Sequence, residues 1–381
     1  METKNPLQKK IGILGGGQLG RMFIENALRY NVEIHILDPS ENAPCSTLTP
    51  HFVQGSFKDF DTVYKFGKNV DVVTIEIEHV NVEALEQLEN EGVQVIPSAK
   101  AIKIIKDKGL QKQFYKDYEV ASSLFRLIEN KAQLAEYLTF LPAFQKTRTD
   151  GYDGKGVQYI ANENDLDKAF EAPSILEKAV DIDKEISVIV AKDVNGNTEF
   201  FPIVELVFDP VYNLVDYLKA PANITDYQQE RAKRLAQQVV DGLHSAGIFA
   251  IEMFISKEGE VLVNETAPRT HNSGHHTIES SASSQFDQQL RILTGLPLGN
   301  SENRVNVSAM VNLVGAEGYT GKVLYEGIAE ISALENVFVH LYGKEVTKPG
   351  RKMGHITILG NSDEEVLEKI KFVKEKVVVR C

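Results

Sequence analysis

The sequence contains few cysteines and no long apolar segment, and each of these absences excludes a class of protein. Cys45 and Cys381 are the only cysteines in 381 residues. Because they lie at opposite ends of the chain, they predict neither a disulfide framework nor a cysteine-ligated metal, and they favour the cytoplasm. The polar start and the lack of any run of ~18 apolar residues predict no signal peptide and no membrane-spanning helix.

Positive charge is also scarce. The chain carries 41 basic and 54 acidic residues, a formal net charge of −13. This balance predicts that neither a nucleic acid nor a lipid surface is the partner, whereas a cleft could still gather the few cations that bind a small phosphate ligand. With 381 residues, 43% of them hydrophobic, the chain is too long for one core, and two or three domains are expected.

Hydrophobic periodicity divides the chain into three regions. Residues 10–14, 18–30 and 33–37 predict a βαβ unit, and further strands at about 70–76 and 93–96 extend it into a doubly wound parallel sheet. The sheet is predicted to end near Pro97 and the first domain near residue 106. The second region is predicted to contain short strands, including one over residues 200–205, a helix at about 226–246 and a strand pair at 248–255 and 260–265. The third region, 301–381, alternates strands with a charged final helix.

A glycine-rich loop follows the first strand. Residues 15–20 read Gly-Gly-Gly-Gln-Leu-Gly, and Asp38 ends the next strand. This pattern is typical of dinucleotide binding, but bare amides at a helix N-terminus bind a substrate phosphate equally well. A third interpretation is that the glycines serve only a tight turn. We expect the loop to bind a substrate phosphate.

A second glycine-rich loop, residues 149–156, joins two predicted strands. Lys146 precedes it, Lys155 lies within it, and Glu177 and Lys178 stand on a later strand. Its amides and the three lysines could hold a polyphosphate, although it lacks the spacing of a Walker loop. The alternative is a solvated hairpin tip.

Two glutamates are predicted to face each other across a hairpin. If the turn is centred between residues 258 and 259, cross-strand partners have numbers that sum to 517, which pairs Glu252 with Glu265. Like charges directly opposed destabilise a sheet, so we expect a divalent cation to relieve the conflict. Oxygen ligands favour Mg²⁺. The alternative is a solvated surface hairpin.

Two polar segments follow. Residues 269–276 read Arg-Thr-His-Asn-Ser-Gly-His-His and suit an anion-handling loop, although His271, His275 and His276 leave a zinc interpretation open. Lys344 and residues 351–355, Arg-Lys-Met-Gly-His, form a basic cluster that is either a solvated face or a phosphate or carboxylate site.

Taken in order, these strings resemble 5-(carboxyamino)imidazole ribonucleotide synthases, which are ATP-grasp ligases of purine biosynthesis, along nearly the whole chain. The resemblance rests on residues 11–20, Thr74-Ile-Glu-Ile-Glu78, Gly151-Tyr-Asp-Gly-Lys-Gly156, Asn264-Glu-Thr-Ala-Pro-Arg-Thr-His-Asn-Ser-Gly-His275 and residues 351–355. It implies a mixed α/β and α+β fold: a Rossmann-like substrate domain (1–106), an ATP-grasp pair of lobes (107–300) with a mobile lid at about 118–182, and a small C-terminal α+β domain (301–381) that completes the substrate site.

The resemblance also implies a reaction and a set of site residues. Bicarbonate and ATP would form carboxyphosphate, which carboxylates aminoimidazole ribonucleotide, with Mg²⁺ held by Glu252 and Glu265. The residues implied to bind ATP are Lys108, Lys146, Tyr152, Asp153, Gly154, Lys155, Gly156, Glu177, Lys178, Val180, Glu185 and Asn264. Those implied to surround the ribonucleotide and bicarbonate are Gly17, Gln18, Leu19, Glu78, Tyr152, Asp153, Arg269, His271, Asn272, Ser273, Lys344, Arg351 and Lys352, and the catalytic candidates among all of these are Arg269, His271, Lys352 and Lys155.

The chain departs from the family pattern at four positions. Asp150 and Val157 replace a glycine and a glutamine beside the second loop, and Leu206 and Phe208 replace an asparagine and a histidine. Three other functions stay open: a formate-using ATP-grasp ligase acting on glycinamide ribonucleotide, an NAD-dependent oxidoreductase, and a ligand-binding regulator without turnover. We expect a homodimer that binds small molecules only.

Overall fold

The computed structural model describes residues 5–149, 156–209 and 214–381. The N-terminal domain is a five-stranded parallel sheet in the order β3-β2-β1-β4-β5, with helices on both faces. Its strands are β1 Lys10–Leu14, β2 Glu33–Asp38, β3 His51–Gln54, β4 Val72–Ile75 and β5 Gln94–Val95, and its helices are α1 Gln18–Ala27, α2 Phe60–Gly67, α3 Val82–Asn90 and α4 Ala99–Lys106. The predicted doubly wound sheet is confirmed.

A small four-stranded antiparallel sheet follows in the order β6-β9-β7-β8. Helix α5, Lys108–Asp117, leads into its strands, which are β6 Phe125–Ile128, β7 Ala143–Thr147, β8 Val157–Ile160 and β9 Ser174–Lys178. Short 3₁₀ segments lie at Lys131–Phe140 and Glu163–Lys168. The loop between β7 and β8 includes Tyr152, Asp153, Gly154 and Lys155, which lie outside the described residues.

The central sheet is antiparallel and carries most of the remaining strands. Its elements are β10 Ile182–Lys192, β11 Thr198–Phe200, β12 Val204–Phe208, β13 Val215–Ala220, β14 Gly247–Ser256 and β15 Val261–Ala267, with helices α6 Asp226–Gly242, α7 Thr277–Ser280 and α8 Gln285–Thr294. The single strand predicted over residues 200–205 is wrong, because β11 and β12 are separate strands that both pair with β10. The predicted helix at 226–246 ends earlier, at Gly242.

The C-terminal region extends this sheet. Its elements are β16 Val307–Val314, β17 Gly321–Lys322, β18 Leu324–Glu326, α9 Ile328–Ser332, β19 Val337–Leu341, β20 Val346–Thr347, β21 Lys352–Gly360, α10 Asp363–Lys376 and β22 Val378–Arg380. Strand β16 pairs with β13, and the central sheet runs β15-β14-β10-β12-β13-β16-β21-β19. In this order four strands lie between β14 of the hairpin β14–β15 and β21 of the last region, and all of them belong to one sheet.

Buried side chains join the N-terminal domain to the central sheet. Phe23 of α1 and Phe286 of α8 belong to one core cluster with Ile189 of β10 and Tyr342. Each of these four side chains is at most 3% exposed. Burying such large apolar side chains stabilises the fold by about 1.5–3 kcal/mol each. The interface between the two regions is therefore stabilised by hydrophobic packing, like the core of a single domain. Among the helices that the structure describes, none has the length and apolar character needed to cross a bilayer.

Candidate active site

A cleft of about 700 Å³ lies where the N-terminal domain, the hairpin β14–β15 and strand β21 meet. Side chains from all three contribute to its wall, among them Gln18, Glu78, Lys108, Glu252, Arg269 and Lys352. These residues are up to 334 positions apart in sequence (352 − 18), and the fold brings them to one place. A cleft of this size suits a small-molecule ligand.

The hairpin places two carboxylates opposite each other, as predicted, but through a different register. Near the turn the partners are Met253 and Val263, whose numbers sum to 516, and a bulge at Asn264 shifts the register so that Glu252 pairs with Glu265. The bulge also leaves Asn264 outside the regular pairing. The pairing inferred from the sequence is confirmed, and the bulge is its physical cause.

Lys108 is the direct partner of this carboxylate pair. Its Nζ donates to Glu265 Oε2 at 2.6 Å, and the charge of Lys108 lowers the pKa of Glu265. Burial and the facing carboxylate of Glu265 raise the pKa of Glu252. In the metal-free protein Lys108 therefore offsets part of the repulsion between the two carboxylates, and the raised pKa of Glu252 acts in the same direction.

The same donor set fits a magnesium ion. Glu252 and Glu265 supply carboxylate oxygens, and Asn264 presents an amide oxygen that accepts from Lys146 at 3.0 Å. Oxygen-only ligands on adjacent strands suit Mg²⁺ better than zinc. Glu265 has 41% of its side chain exposed and Glu252 19%, so the pair can be reached from the cleft.

Glu177, Lys112 and Lys146 form a buried ionic triad, of which the sequence predicted only Glu177 and Lys146 as site residues. Glu177 on β9 is paired with Lys112 of α5 and, at 2.5 Å, with Lys146 of β7. Although burial alone would raise its pKa, the two ammonium groups hold the pKa of Glu177 at about 2. Lys146 thus sits between Glu177 and Asn264, with its position fixed. Lys112, only 3% exposed at its side chain, is a missed member of the site.

Lys178 does not join these cations. Neighbouring residues on a strand point to opposite faces, and the Nζ of Lys178 donates to the carbonyl oxygens of Phe140 and Leu141 at 3.1 and 2.9 Å. The ammonium of Lys178 is thus engaged by these two carbonyls, and its contact with the nucleotide stays a prediction.

Other predicted nucleotide contacts lie around the triad. Glu185 of β10 is partly buried, and this burial together with Glu265 raises its pKa to about 7. Val180 is half-buried between β9 and β10. Gly156 has a positive φ of 74° and its carbonyl accepts from the amide of Thr147 at 2.9 Å, where β7 and β8 meet.

The first glycine-rich loop is occupied by the chain's own carboxylates. Gly17 N donates to Glu76 Oε2 at 2.6 Å and Leu19 N to Glu76 Oε1 at 3.3 Å, while Gly16 N donates to Asp38 Oδ2 at 2.8 Å. A Cβ on Gly17 would lie 2.3 Å from Glu76 Oε1, so this position requires glycine. Burial raises the pKa of Glu76 to about 7 despite these bonds.

This arrangement bears on both ligand interpretations of the loop. Asp38 is engaged by the loop itself, which argues against its binding a dinucleotide ribose. The expectation that bare amides of the loop hold a substrate phosphate is wrong for Gly16, Gly17 and Leu19, whose N–H groups have acceptors. The side chains of Gln18 and Leu19 still line the cleft.

The segment after β15 places Arg269 and His271 in the cleft. The Nε of Arg269 lies 2.8 Å from Glu78 Oε1, and the Nε2 of His271 lies 3.6 Å from Glu252 Oε1. Burial, with the charges of Arg269 and Lys352, lowers the pKa of His271 to about 3, so its imidazole is neutral at physiological pH. The amide of Ser273 donates to its Nδ1 at 3.3 Å, which leaves the proton on Nε2, the nitrogen nearest Glu252.

Two neighbours fix this segment. Ser273 Oγ bonds Ser187 Oγ at 2.9 Å and His271 Nδ1 at 2.9 Å. The amide group of Asn272 donates to Asn312 Oδ1 at 2.9 Å, on β16. The loop is therefore anchored to β10 and to the C-terminal extension of the sheet.

The predicted basic cluster is split by the fold. Lys352 lines the cleft, whereas Lys344 Nζ donates to the Lys352 carbonyl at 2.7 Å and the Arg351 guanidinium bonds the Val346 carbonyl. Of the three, Lys352 alone belongs to the wall of the described cleft. The contacts of Lys344 and Arg351 with the ribonucleotide stay predictions.

The zinc interpretation of the three histidines is not supported. Within residues 5–149, 156–209 and 214–381, one group of three metal-ligating side chains has its ligand atoms within 4.8 Å of one another, and it is Glu33, His35 and His51. His276 instead bonds the hydroxyls of Ser280 and Ser308.

Three further residues of the site were missed by the sequence reading. They are Lys112, in the middle of α5, Glu76, directly after β4, and Gln285, the first residue of α8. The signal for Lys112 was its position four residues after Lys108, on the same face of one helix. The contacts of Glu76 and Gln285 join residues 14 to 59 positions apart, which no local pattern reveals.

Family comparisons cover nearly the whole chain. Residues 8–106 match the ribonucleotide synthetase preATP-grasp domain, residues 113–286 the ATP-grasp domain, and residues 308–369 the phosphoribosylaminoimidazole carboxylase C-terminal domain.

Two curated relatives illustrate the similarity. The N5-carboxyaminoimidazole ribonucleotide synthase of Brucella melitensis is 36% identical over 355 residues, covering 91% of this chain and 95% of that protein. The chloroplastic phosphoribosylaminoimidazole carboxylase of Vigna aconitifolia is 38% identical over 361 residues, covering 92% of this chain. The chain spans 64% of that plant protein's length, so the relative is the longer protein.

Solved structures agree. The N5-carboxyaminoimidazole ribonucleotide synthetase of Thermotoga maritima matches with a TM-score of 0.90 and 39% identity, covering 98% of this chain and 99% of that one. The carboxyaminoimidazole ribonucleotide synthase of Aspergillus clavatus complexed with ATP matches with a TM-score of 0.89 and 34% identity, covering 97% and 98%. The same fungal enzyme with ADP and 5-aminoimidazole ribonucleotide matches with a TM-score of 0.88 and 33% identity, covering 97% and 98%.

Proposed function

Because the chain belongs to the N5-carboxyaminoimidazole ribonucleotide synthase family of ATP-grasp ligases, we propose that it carboxylates 5-aminoimidazole ribonucleotide with bicarbonate at the expense of ATP. One observation carries this proposal. The cleft brings Lys108 and Glu265 together with Arg269, His271 and Lys352, which belong to the strings 264–275 and 351–355 of the family resemblance.

ATP binds between the small sheet β6–β9 and the hairpin β14–β15. Lys146 and Lys108 direct ammonium groups toward Asn264 and Glu265, where they can neutralise phosphate charge. Magnesium bound to Glu252 and Glu265 would add the charge neutralisation that phosphoryl transfer requires. The related Aspergillus clavatus enzyme has a solved structure in complex with ATP, which supports the nucleotide assignment.

The first step joins bicarbonate to the γ-phosphorus of ATP. A bicarbonate oxygen forms the new O–P bond, the bond from the γ-phosphorus to the bridging oxygen breaks, and ADP leaves, giving carboxyphosphate. Charge stabilisation is the main demand of such a transfer. Lys108 and Arg269 of the cleft wall, together with Lys146 beside Glu177, are cations that can meet it. No protein nucleophile is needed.

In the second step the C–O bond of carboxyphosphate breaks and releases carbon dioxide beside the exocyclic amine. The amine forms the N–C bond of the carbamate, and its proton passes to the departing phosphate. The neutral Nε2–H of His271 and the ammonium of Lys352 face this part of the cleft and can orient the carbon dioxide by hydrogen bonding. Glu78, which pairs with Arg269 at 2.8 Å, can accept a hydrogen bond from the other N–H of the amine and orient it.

Phosphate release from ATP tests this function. It should require both bicarbonate and 5-aminoimidazole ribonucleotide for full rate, and mass spectrometry should find the carbamate. Turnover of formate with glycinamide ribonucleotide instead would assign the chain to the formate-using ligases and overturn the proposal. Magnesium dependence, the homodimer and the cytoplasmic location stay predictions to be checked with the same preparation.

A further inference from the structure

A buried glutamine holds the peptide of His271 from both sides. The amide N–H of His271 donates to Gln285 Oε1 at 2.9 Å, and Gln285 Nε2 donates to the His271 carbonyl oxygen at 2.9 Å. Gln285 begins α8, is 0% exposed and does not line the cleft. It therefore acts on the cleft only through the residues that it holds.

The same amide sets the hydrogen-bonding state of His275. Because a backbone N–H can only donate, the oxygen of Gln285 must face His271 N, and its NH₂ group must face the His271 carbonyl and, at 3.2 Å, His275 Nδ1. His275 Nδ1 is thus an acceptor, and the ring proton is on Nε2. His275 lines the cleft beside His271.

The surrounding chain is shaped to admit this clamp. A Cβ on Gly274 would lie 2.4 Å from Gln285 Oε1, so a glycine is needed there for the amide to reach the His271 peptide. The backbone N–H of Gln285 donates to Thr277 Oγ1 at 3.0 Å, and the Thr277 hydroxyl donates to the Gly274 carbonyl oxygen at 2.5 Å. The start of α8 and the loop 271–277 are therefore locked together.

We infer that Gln285 is a positioning residue for the carboxylation step, which fixes the peptide of His271 so that carbon dioxide released in the cleft reaches the amine. This inference rests on the proposed function. Loss of the clamp leaves the nucleotide side of the cleft intact, since Lys108, Lys146 and Glu265 have partners other than Gln285. The affected quantity is the coupling of carbamate formation to ATP cleavage.

The chain provides a matched control on the same helix. Gln288 is also 0% exposed, and it clamps the Gly299 peptide in the same way: Gly299 N donates to its Oε1 at 2.9 Å and its Nε2 donates to the Gly299 carbonyl at 2.7 Å. Gln285→Leu and Gln288→Leu remove equivalent bonds, but the former alone releases His271. Gln285→Glu is a second variant, which keeps the side-chain shape and the acceptor for His271 N but replaces the NH₂ group that donates to the His271 carbonyl oxygen.

The experiment measures carbamate formed from ¹³C-bicarbonate per phosphate released, with ADP binding as a check on folding. Wild type and Gln288→Leu should give about one carbamate per phosphate, whereas Gln285→Leu should release phosphate while turnover to carbamate falls ~10–10²-fold, the effect of a small misplacement near the reacting atoms. Gln285→Glu should lie between them. If Gln285→Leu does not bind ADP, Gln285→Glu decides the question by the same ratio.

A double-mutant cycle separates positioning from general stability. If Gln285 acts through His271, adding Gln285→Leu to His271→Asn should change the coupling ratio no further. Additive losses, or a Gln285 variant with the coupling ratio of wild type, would overturn the inference while leaving the proposed function standing. A wild-type protein that releases no bicarbonate-dependent phosphate would overturn both.

Discussion

Binding of Mg²⁺-ATP should expel a proton from Glu252, and Glu265→Gln should suppress that release. In the structure, burial and the facing carboxylate of Glu265 raise the pKa of Glu252. The ammonium of Lys108 lowers the pKa of Glu265. A metal ion that takes both carboxylates as ligands requires both to be ionised. One proton must therefore leave when the metal and nucleotide arrive near neutral pH.

The size of the effect follows from the hairpin geometry. Directly opposed residues on antiparallel strands have Cβ atoms about 4.5–5.5 Å apart. Two unit charges about 5 Å apart interact by about 3 kcal/mol at an effective dielectric constant of 20, which is a factor of ~10² in the ionisation equilibrium of Glu252. Glu265→Gln removes this repulsion but not the burial, so the pKa of Glu252 should fall and a larger fraction of Glu252 should be ionised before the ligand binds.

Calorimetry in buffers of different ionisation enthalpy counts the released protons. Wild type should release close to one proton per Mg²⁺-ATP at pH 7 and fewer as the pH rises through the raised pKa of Glu252. Glu265→Gln should release fewer at pH 7, keep its fold and lose ~10²–10³ of its phosphate-release rate. The exposed Glu258 in the turn of the same hairpin is the control, since Glu258→Gln should change neither quantity. Equal proton release by wild type and Glu265→Gln would refute this account of the pair.

Three further outcomes are expected. Lys112→Met should cost about 3 kcal/mol of unfolding free energy, because it removes one of the two cations that pair with buried Glu177; a change under about 0.5 kcal/mol in urea unfolding would contradict this. Phe208→His should keep the ATP dissociation constant within about tenfold of wild type by calorimetry, because Phe208 packs beside Val204 and Leu206 and is not part of the described cleft wall; loss of ATP binding would show that the site extends to this strand. In the folded protein, burial lowers the pKa of His276 to about 3 from its ordinary value of about 6.5. Its contribution to stability is therefore fully present above about pH 6.5 and is lost as the pH falls toward 3. His276→Asn should make the fall of unfolding free energy in that window shallower by up to about 1.4 kcal/mol per pH unit, and parallel profiles would contradict the assignment.

The sheet architecture was largely predictable because its signals are local. The βαβ opening and the parallel N-terminal sheet follow from apolar runs separated by helical periodicity. The division of residues 200–205 between β11 and β12 was not predictable, because Pro202 and its neighbours lie between two short pairings with the same long strand β10. The continuation of the central sheet through β16 and β21 depends on long-range pairing, which no local pattern contains.

The site shows the same division between local and long-range information. The Glu252–Glu265 pairing was found by counting from the turn, although the bulge at Asn264 that produces it was not foreseen. The sequence motif identified the glycine-rich loop as an anion-binding loop, but it did not reveal that Gly17 of the loop donates to Glu76 of the same chain.

Charge partners were the least predictable feature. The sequence around a lysine does not reveal which group its ammonium will contact. Because side chains alternate between the two faces of β9, Glu177 faces the site while Lys178 donates to backbone carbonyls elsewhere. Lys112 and Gln285 read as helix residues, and only the packing of α5 and α8 against the hairpin and its following loop gives them a role.

The fate of the bicarbonate oxygens tests the central claim most directly. The wild-type protein would be supplied with ATP, 5-aminoimidazole ribonucleotide and ¹⁸O-labelled bicarbonate, and the released phosphate analysed by mass spectrometry. If ATP activates bicarbonate as carboxyphosphate, one labelled oxygen should appear in each phosphate formed together with carbamate. Phosphate that carries no label while carbamate accumulates would contradict the account.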